Sequence, residues 1–358
     1  MSSSGAAGSP LPQGGSRLSD SEALELLLRG DLLELGLCAD EVRRRLHPGD
    51  EVTFIVDRNI NYTNICISGC RFCAFYRDAG SPDAYLLTEK EIHAKIEETL
   101  ALGGTAVMMQ GGLHPDLDIR WYERLFRGIK ERFPIHIHSL SPPEIAHIAE
   151  RSGLGIRETL ERLRRAGLDS LPGGGAEVLV DRVRSAISPH KIPTETWLDV
   201  MRQAHAIGMP STATMMFGSI DVPQDRVEHL RRIRDLQDET GGFTAFIPWT
   251  FQAGHTELQA GHSPASGFDY LRMLSVSRIY LDNVPSIQAS WVTQGIKLGQ
   301  VSLAFGANDM GSTMIEENVV RAAGVSHRVG VEQMVAAIRA AGKVPVQRDT
   351  LYRIVRRY

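Results

Sequence analysis

Cys66, Cys70 and Cys73 share one short loop, Cys66-Ile-Ser-Gly-Cys70-Arg-Phe-Cys73, and they are three of only four cysteines in the chain. Thiolates are soft ligands for iron–sulfur clusters and for zinc. A cubane cluster held by protein alone takes four cysteines. Three therefore leave one iron without a protein ligand, and an open position is how a metal site admits a reactant. A structural zinc knuckle is the plainer alternative. It needs a fourth ligand, and His93 and His114, the next histidines after the loop, lie too far along the chain to complete a compact knuckle locally. A disulfide fits worse, because three thiols cannot pair off. The spacing predicts an open cluster.

Other patches carry chemistry of their own. Gln110-Gly111-Gly112 is either an ordinary turn or a backbone edge that glycine allows to approach a ligand closely. Pro172-Gly-Gly-Gly-Ala-Glu177 can form a concavity for polar ligand groups, with Glu177 suited to ribose hydroxyls or an amine. Its plain alternative is a flexible loop whose glutamate sits in a helix's first turn. Phe72 either packs beneath the cysteine loop or walls off a bound cosubstrate. His136 and His138 alternate with apolar residues and share a strand face, which reads as a packed or solvated pair ahead of a metal site. Cys38, on an apolar helical stretch, reads as a small buried residue. No Ser/His/Asp elbow or P-loop is present, and the Gly-Gly-Gly run lacks dinucleotide spacing.

The elements that must position these groups are legible in the pattern. From Ser19 to about Leu46 the chain is helical and amphipathic, with a break near Gly30. From Val52 onward, β-rich runs alternate with helical ones. VTFIV and NINYTN lead into the cysteine loop, and Thr88 caps a helix over Glu89–Leu102. TAVMMQ, IHIHSL, STATMMF and FTAFIPW read as strands, as do SIQASW and VSLAF near the C-terminal end. About eight strand–helix alternations without a composition break predict a parallel sheet. Nearly every polar or Gly-rich patch falls just after a strand, where parallel β/α folds collect their chemistry. A closed (β/α)8 barrel with an N-terminal helical extension gathers them around one mouth. The expected division is a disordered tail over 1–17, a helical extension over 18–50, and the barrel with its C-terminal helical and strand elements over 51–358.

Composition narrows the classes. The chain has 358 residues, 42% hydrophobic and 23% charged, which is enough for a sizeable core. A net charge of -4 argues against a nucleic-acid partner, and the mixed-charge run Arg226–Thr240 reads as a solvated outer helix. The first residues lack the apolar core of a secretory signal, and no apolar run reaches the ~20 residues of a membrane span. Few cysteines indicate a reducing compartment, so the expected location is the cytoplasm.

The cysteine spacing with Phe72 resembles the radical S-adenosylmethionine (radical SAM) superfamily. That resemblance implies a 4Fe–4S cluster on Cys66, Cys70 and Cys73, with S-adenosylmethionine chelating the fourth iron and yielding a 5′-deoxyadenosyl radical on one-electron reduction. It also implies cosubstrate contacts at Phe72, Gln110, Gly111, Gly112, Ser139 and Glu177, and an electron donor such as a flavodoxin or ferredoxin. Asn59-Ile-Asn-Tyr-Thr-Asn64, Cys73-Ala-Phe-Tyr-Arg77, Gln110-Gly-Gly-Leu-His-Pro115 and Pro172–Glu177 are similar to the branch with futalosine-pathway enzymes and deazaflavin (FO) synthase. The blocks Gln237–Trp249, Ile287–Trp291 and Phe305–Asp309 most resemble cyclic dehypoxanthinyl futalosine synthases of menaquinone biosynthesis. The implied reaction takes the ribose C4′ hydrogen of dehypoxanthine futalosine, closes the C4′ radical onto the substrate's benzoate ring, and restores aromaticity by loss of an electron and a proton.

By position after strands, Asp221, His114 and Asp309 are the candidates for the reacting centre, and Arg77, Thr250, Gln288 and Asn308 for substrate binding. One departure stands out: much of the branch carries Gly-His-x-Glu where this chain has Gly218-Ser-Ile-Asp221. Rival readings are aminofutalosine synthase, an FO synthase-like enzyme, and a non-catalytic Fe–S or zinc module that senses redox state.

Overall fold

The computed structural model describes residues 17–358. Ten strands appear in chain order: β1 (Glu51–Ile55), β2 (Asp57–Ile60), β3 (Ala106–Met109), β4 (His136–Ser139), β5 (Ser211–Phe217), β6 (Phe243–Thr250), β7 (Ser286–Ile287), β8 (Asp309–Ser312), β9 (Val344–Arg348) and β10 (Ile354–Arg357). β1 and β2 follow one another with a single residue, Val56, between them. β2 pairs in parallel with β3 and β3 with β4. Isolated parallel bridges His138–Ser170 and Leu171–Ser211 then carry the sheet through a two-residue segment into β5. β5, β6 and β7 are parallel neighbours. The bridge Gln288–Asp309 passes to β8, which pairs in parallel with β1. Counting β1–β2 as one strand and Ser170–Leu171 as another, the ring closes with eight parallel members, the expected (β/α)8 barrel.

The flanking helices obey local signals. Ser19 with Glu22, Thr88 with Glu91 and Ser266 with Asp269 form capping boxes, each satisfying orphan N–H groups at a helix start. Pro223 opens the long helix Pro223–Thr240, and Gly241, at φ 65°, ends it in the left-handed conformation that glycine adopts without strain. The core is one contiguous cluster that runs from Leu18 to Ile338 and includes Trp197, Trp291 and Phe243. The helices Asp20–Arg29 and Leu32–Leu46 pack on Gly267–Tyr280. Gly36 is required there, since a Cβ would sit 2.9 Å from the Phe305 ring.

Two expectations change. SIQASW is a strand only over Ser286–Ile287, and Trp291 already begins a helix. VSLAF is not a strand: Val301 and Ser302 end the helix Ile296–Ser302, and the last barrel strand begins at Asp309. Buried apolar runs of this length have no periodicity that separates helix from strand. Of the tail expected over 1–17, residues 1–16 lie outside the described residues, whereas Arg17 pairs with Asp238 at 2.5 Å and Asp282 at 2.6 Å. No helix among the described residues is long and apolar enough to cross a membrane.

The strands β9 and β10 are an addition to the barrel. β9 runs parallel to β1, with Glu51 opposite Val344 and Ile55 opposite Arg348, and β10 returns antiparallel. This brings Arg348 against Asp309 of β8, where Nε and Nη2 donate to its carboxylate at 2.5 and 3.0 Å. Both side chains are buried, at 3% and 0% exposure. Thr53 also donates to this carboxylate, at 2.5 Å. Next to this pair the Asp57 carboxyl accepts from Ser312, and burial pushes its pKa up to about 6.

Candidate active site

The side chains of Asn61–Asn64 explain how the cysteine loop is held. The Asn61 amide donates to the Gln110 carbonyl at 3.1 Å, and the Tyr62 hydroxyl donates to Glu144 at 2.8 Å. Thr63 donates to the Tyr85 carbonyl at 2.6 Å, and the Asn64 amide to the Asp83 carbonyl at 2.9 Å. Each residue after β2 thus ties the loop to a different neighbour. Arg77 finishes the job: its guanidinium donates to the carbonyls of Ala74 at 3.1 Å and Tyr76 at 2.8 Å, and to Asp83 at 2.6 Å. Arg77, nominated for substrate, is committed to the turn after Cys73.

Cys66, Cys70 and Cys73 line one cavity of about 230 Å³ together with Phe72, Gln110, Gly111, Gly112, Glu177, Lys191 and Trp249. The cavity admits no larger residue at its glycine edge. A Cβ on Gly112 would lie 2.1 Å from the Ile65 carbonyl oxygen, and one on Gly111 would lie 2.5 Å from the Tyr62 ring. On the opposite wall a Gly174 Cβ would lie 2.4 Å from Gln110, and a Gly175 Cβ 2.4 Å from Pro143. Burial pushes the Cys66 and Cys73 thiols up. Backbone N–H groups oppose that: Leu113 donates to the Cys66 sulfur at 3.3 Å, and the amides of Phe75 and Tyr76 favour the Cys73 thiolate. Amide donors aimed at sulfur suit anionic sulfur.

Glu177 holds a positive φ of 42°, uncommon for a residue with a side chain. Its carboxylate accepts from Lys191 at 2.9 Å and lies 3.5 Å from Arg184. Lys191 also stands over the Phe72 ring, 5.1 Å from its centroid. Burial works against the Lys191 charge, but Cys70 and Glu177 outweigh it and hold its pKa above the usual range. Glu144 organises the wall between these groups. One of its oxygens accepts from Tyr62 and from the Gly111 N–H at 3.0 Å, the other from the Ser141 N–H and hydroxyl at 2.7 and 2.6 Å. Burial pushes its carboxyl up, and these four donors pull the other way.

Lys191, Trp249, Ser141 and Glu144 are cavity residues that the sequence reading did not nominate. Ser141 and Glu144 carried a signal, a Ser-x-x-Glu capping box directly after a strand. Lys191 lies in the connection between the helices Asp181–Ile187 and Thr194–Ala206, where no local pattern points inward.

The remaining nominees lie elsewhere. The Ser139 hydroxyl donates to the Met109 carbonyl at 2.7 Å, inside the β3–β4 pair, while Ser141 faces the cavity. Asp221 closes the turn after β5, accepting from the Gly218 and Ser219 N–H groups at 3.1 and 2.8 Å and from Arg226 at 2.7 Å. His114 Nδ1 accepts from the Asp116 N–H at 3.1 Å, and burial lowers its pKa. Thr250 accepts from Gln252 at 2.9 Å and Gln294 at 2.5 Å. Gln288 donates to the Tyr352 hydroxyl at 3.0 Å, and Asn308 accepts from Arg278 at 2.5 Å. His136 and His138 each lie 2.7 Å from the Ser170 hydroxyl, a packed interior pair.

The radical SAM superfamily signature matches residues 60–233, and the CofH/MqnC C-terminal region matches residues 240–357. A cyclic dehypoxanthine futalosine synthase of Halalkalibacterium halodurans is 47% identical over 96% of this chain and 93% of its own length. The chain belongs to the radical SAM superfamily. One of Streptomyces coelicolor is also 47% identical, over 94% of this chain and 86% of its own. A 5-amino-6-(D-ribitylamino)uracil–L-tyrosine 4-hydroxyphenyl transferase of Methanothermobacter thermautotrophicus is 44% identical over 94% of each chain. Among solved structures, methylornithine synthase superposes with a TM-score of 0.73 over 92% of this chain and 95% of its own, at 20% identity, which speaks for the fold alone.

Radical SAM enzymes use a 4Fe–4S cluster and S-adenosylmethionine. The cavity fits both groups on its own chemistry: three thiols with amide donors to sulfur line one space whose walls pack so closely that a Cβ at Gly111, Gly112, Gly174 or Gly175 would clash with neighbouring protein. Among the described residues no group of three or more His, Cys, Asp or Glu is placed around a single ion.

Proposed function

We propose that this radical SAM enzyme converts dehypoxanthine futalosine to its cyclic form, removing two hydrogens and joining the ribose C4′ to the benzoate ring. The observation that carries this reading is the near full-length 47% identity to two relatives bearing that activity as their name. Trp249, which ends one of the blocks shared with such enzymes, lines the cysteine cavity and adds support.

In this reading Cys66, Cys70 and Cys73 hold the cluster, and Gln110, the Gly111–Gly112 edge, Glu177 and Lys191 hold S-adenosylmethionine. When bound, the two together supply a 5′-deoxyadenosyl radical. The protein's own work is positional. Glu144 accepts the Gly111 N–H, which holds the backbone edge in place before any ligand binds. Phe72 and Trp249 exclude water from the same space. The loop also reaches the surface, with Ile67 55% exposed beside Cys66, where a flavodoxin- or ferredoxin-type reductant can approach.

The transferase relative at 44% identity favours a second reading, transfer of a 4-hydroxyphenyl group from tyrosine to 5-amino-6-(D-ribitylamino)uracil. One experiment separates the two. Reconstituted, reduced protein is incubated with S-adenosylmethionine and either dehypoxanthine futalosine or tyrosine plus the uracil, with the enolpyruvyl substrate of aminofutalosine synthase as a third arm. A product two hydrogens lighter than dehypoxanthine futalosine is expected. Turnover in another arm and none in the first would sink the cyclase reading.

A further inference from the structure

Beside the cysteine cavity lies a second concavity of about 470 Å³, walled by the segment that leaves β8 and by Arg58 and Val292. Its charges fall into two sets. The acids are already satisfied. Glu316 accepts from Arg58 and Lys95 at 2.7 Å each and from Asn318 at 2.9 Å. Glu317 accepts the N–H groups of Val319, Val320 and Arg321, all at 2.9 Å. The side chains of Arg321, His327 and Arg328 line the same concavity and make no hydrogen bond or ion pair among the described residues.

Glu316 is offset by Arg58 and Lys95, Glu317 is turned onto backbone N–H groups, and the exposed guanidiniums of Arg321 and Arg328 are left without a partner among the described residues, an arrangement that favours an anion. A guanidinium's planar fork matches a carboxylate with two parallel hydrogen bonds. The position is equally specific. Val319 lines the cysteine cavity, whereas Asn318 and Arg321, on either side of it in sequence, line the second one. Asn318 also donates to Asn61 at 3.3 Å, and Asn61 lines the cysteine cavity. The segment Asn318–Arg321 therefore borders both spaces, and a ligand lying across Val319 would touch residues of each.

We infer that Arg321 and Arg328 anchor the aryl carboxylate of the substrate. The acid group is held in the second concavity while the ribose extends toward the cysteine cavity, which fixes the arene that receives the new bond. This rests on the cyclase reading and deepens it by naming the anchor.

The test uses the full-length reconstituted enzyme with dithionite as reductant and saturating S-adenosylmethionine. KM and kcat are measured for dehypoxanthine futalosine and for its carboxamide, in wild type, R321Q, R328Q and the double variant. Melting temperature and cluster absorbance are recorded for each. Losing one partner of a charged hydrogen bond should raise KM for the acid roughly tenfold per single variant, with kcat less affected. The wild-type preference for acid over carboxamide should collapse in the double variant, and R321K with R328K should recover part of the lost affinity. Unchanged KM in the variants, or equal use of acid and carboxamide by wild type, overturns the anchor and leaves the cyclase reading standing. So does a defect that appears only when a flavodoxin replaces dithionite, which would make these cations a docking patch for the reductant. Failure of wild type to convert dehypoxanthine futalosine overturns the cyclase reading and the anchor with it.

Discussion

The β2–β4 side of the barrel and the β7–β9 side both carry polar residues at or near strand ends, yet they use them in opposite ways. On the first side the polar contacts hold backbone in place and leave a cavity edge open: Asn61 and Glu144 bond main-chain groups of Gln110 and Gly111. On the second side the polar groups satisfy one another. Asp309 is filled by Arg348 and Thr53, and Asn308 accepts from Arg278 and the Ile287 N–H. A polar residue after a barrel strand is therefore not yet a site. What distinguishes the site is glycine that lets backbone segments pack closely around the cysteine loop, next to side chains that hold the main chain of the cavity edge.

The largest effects should fall on the open side. C70A removes one of three thiols and should abolish both the cluster, read from iron content and visible absorbance, and all cleavage of S-adenosylmethionine. Persistent cleavage would end the cluster assignment. G112A comes next. Its methyl would meet the Ile65 carbonyl at 2.1 Å and the Cys66 Cβ at 2.7 Å, so the cysteine loop must shift. A 1 Å displacement of a reacting constellation costs on the order of a hundredfold in rate. G128A is its counterpart on an outer helix where nothing lies within 4 Å. It should raise stability by roughly 0.5–1 kcal/mol, and an activity loss like that of G112A would show that glycine content alone, not the site, is being read.

On the closed side, D309N leaves the Arg348 charge buried with half its partner. Breaking a buried pair this way costs about 3–5 kcal/mol, seen as a lower denaturation midpoint. Activity per folded, cluster-loaded protein should survive. Lost activity at unchanged stability would return Asp309 to the reacting centre.

This contrast also marks what sequence alone can and cannot reveal. The eightfold alternation was legible because amphipathic helices and buried strands have different periods, and the cysteine loop because three thiols in eight residues have few other uses. Gln110, Gly111, Gly112 and Glu177 were half legible: consecutive glycines after a strand suit close approach or a plain turn alike, and the family resemblance, not the pattern, pointed them at the cosubstrate. Asp309, Asn308 and Gln288 look just as promising in one dimension. Their partners Arg348, Arg278 and Tyr352 lie tens of residues away and arrive through β9, the helix Gly267–Tyr280 and the turn between β9 and β10. Lys191 shows the converse, an unremarkable loop residue that becomes central only when its connection folds over Phe72. VSLAF fell between these cases, because a short apolar run ending a helix looks like a strand.

A last test probes the closed side through pH. Asp57 keeps some accessible surface, but protein surrounds its carboxyl, and desolvation lifts its pKa from 3.8 to about 6. The sign follows from linkage. The folded state binds this proton more tightly than the unfolded chain, so unfolding releases it between the two values. This group's contribution to stability therefore falls as pH rises from about 4 to about 6, and the full penalty for the buried charge remains above that. Its size is at most ~3 kcal/mol, from two pKa units at 1.36 kcal/mol each. D57N keeps an acceptor for Ser312 and cannot ionise. The difference in melting temperature between D57N and wild type, followed from pH 4.5 to 7, should shift in favour of D57N with rising pH and level off above the folded pKa. A constant difference across that range would mean that Asp57 stays charged throughout and that the closed side tolerates its acids because Arg348 neutralises both Asp57 and Asp309.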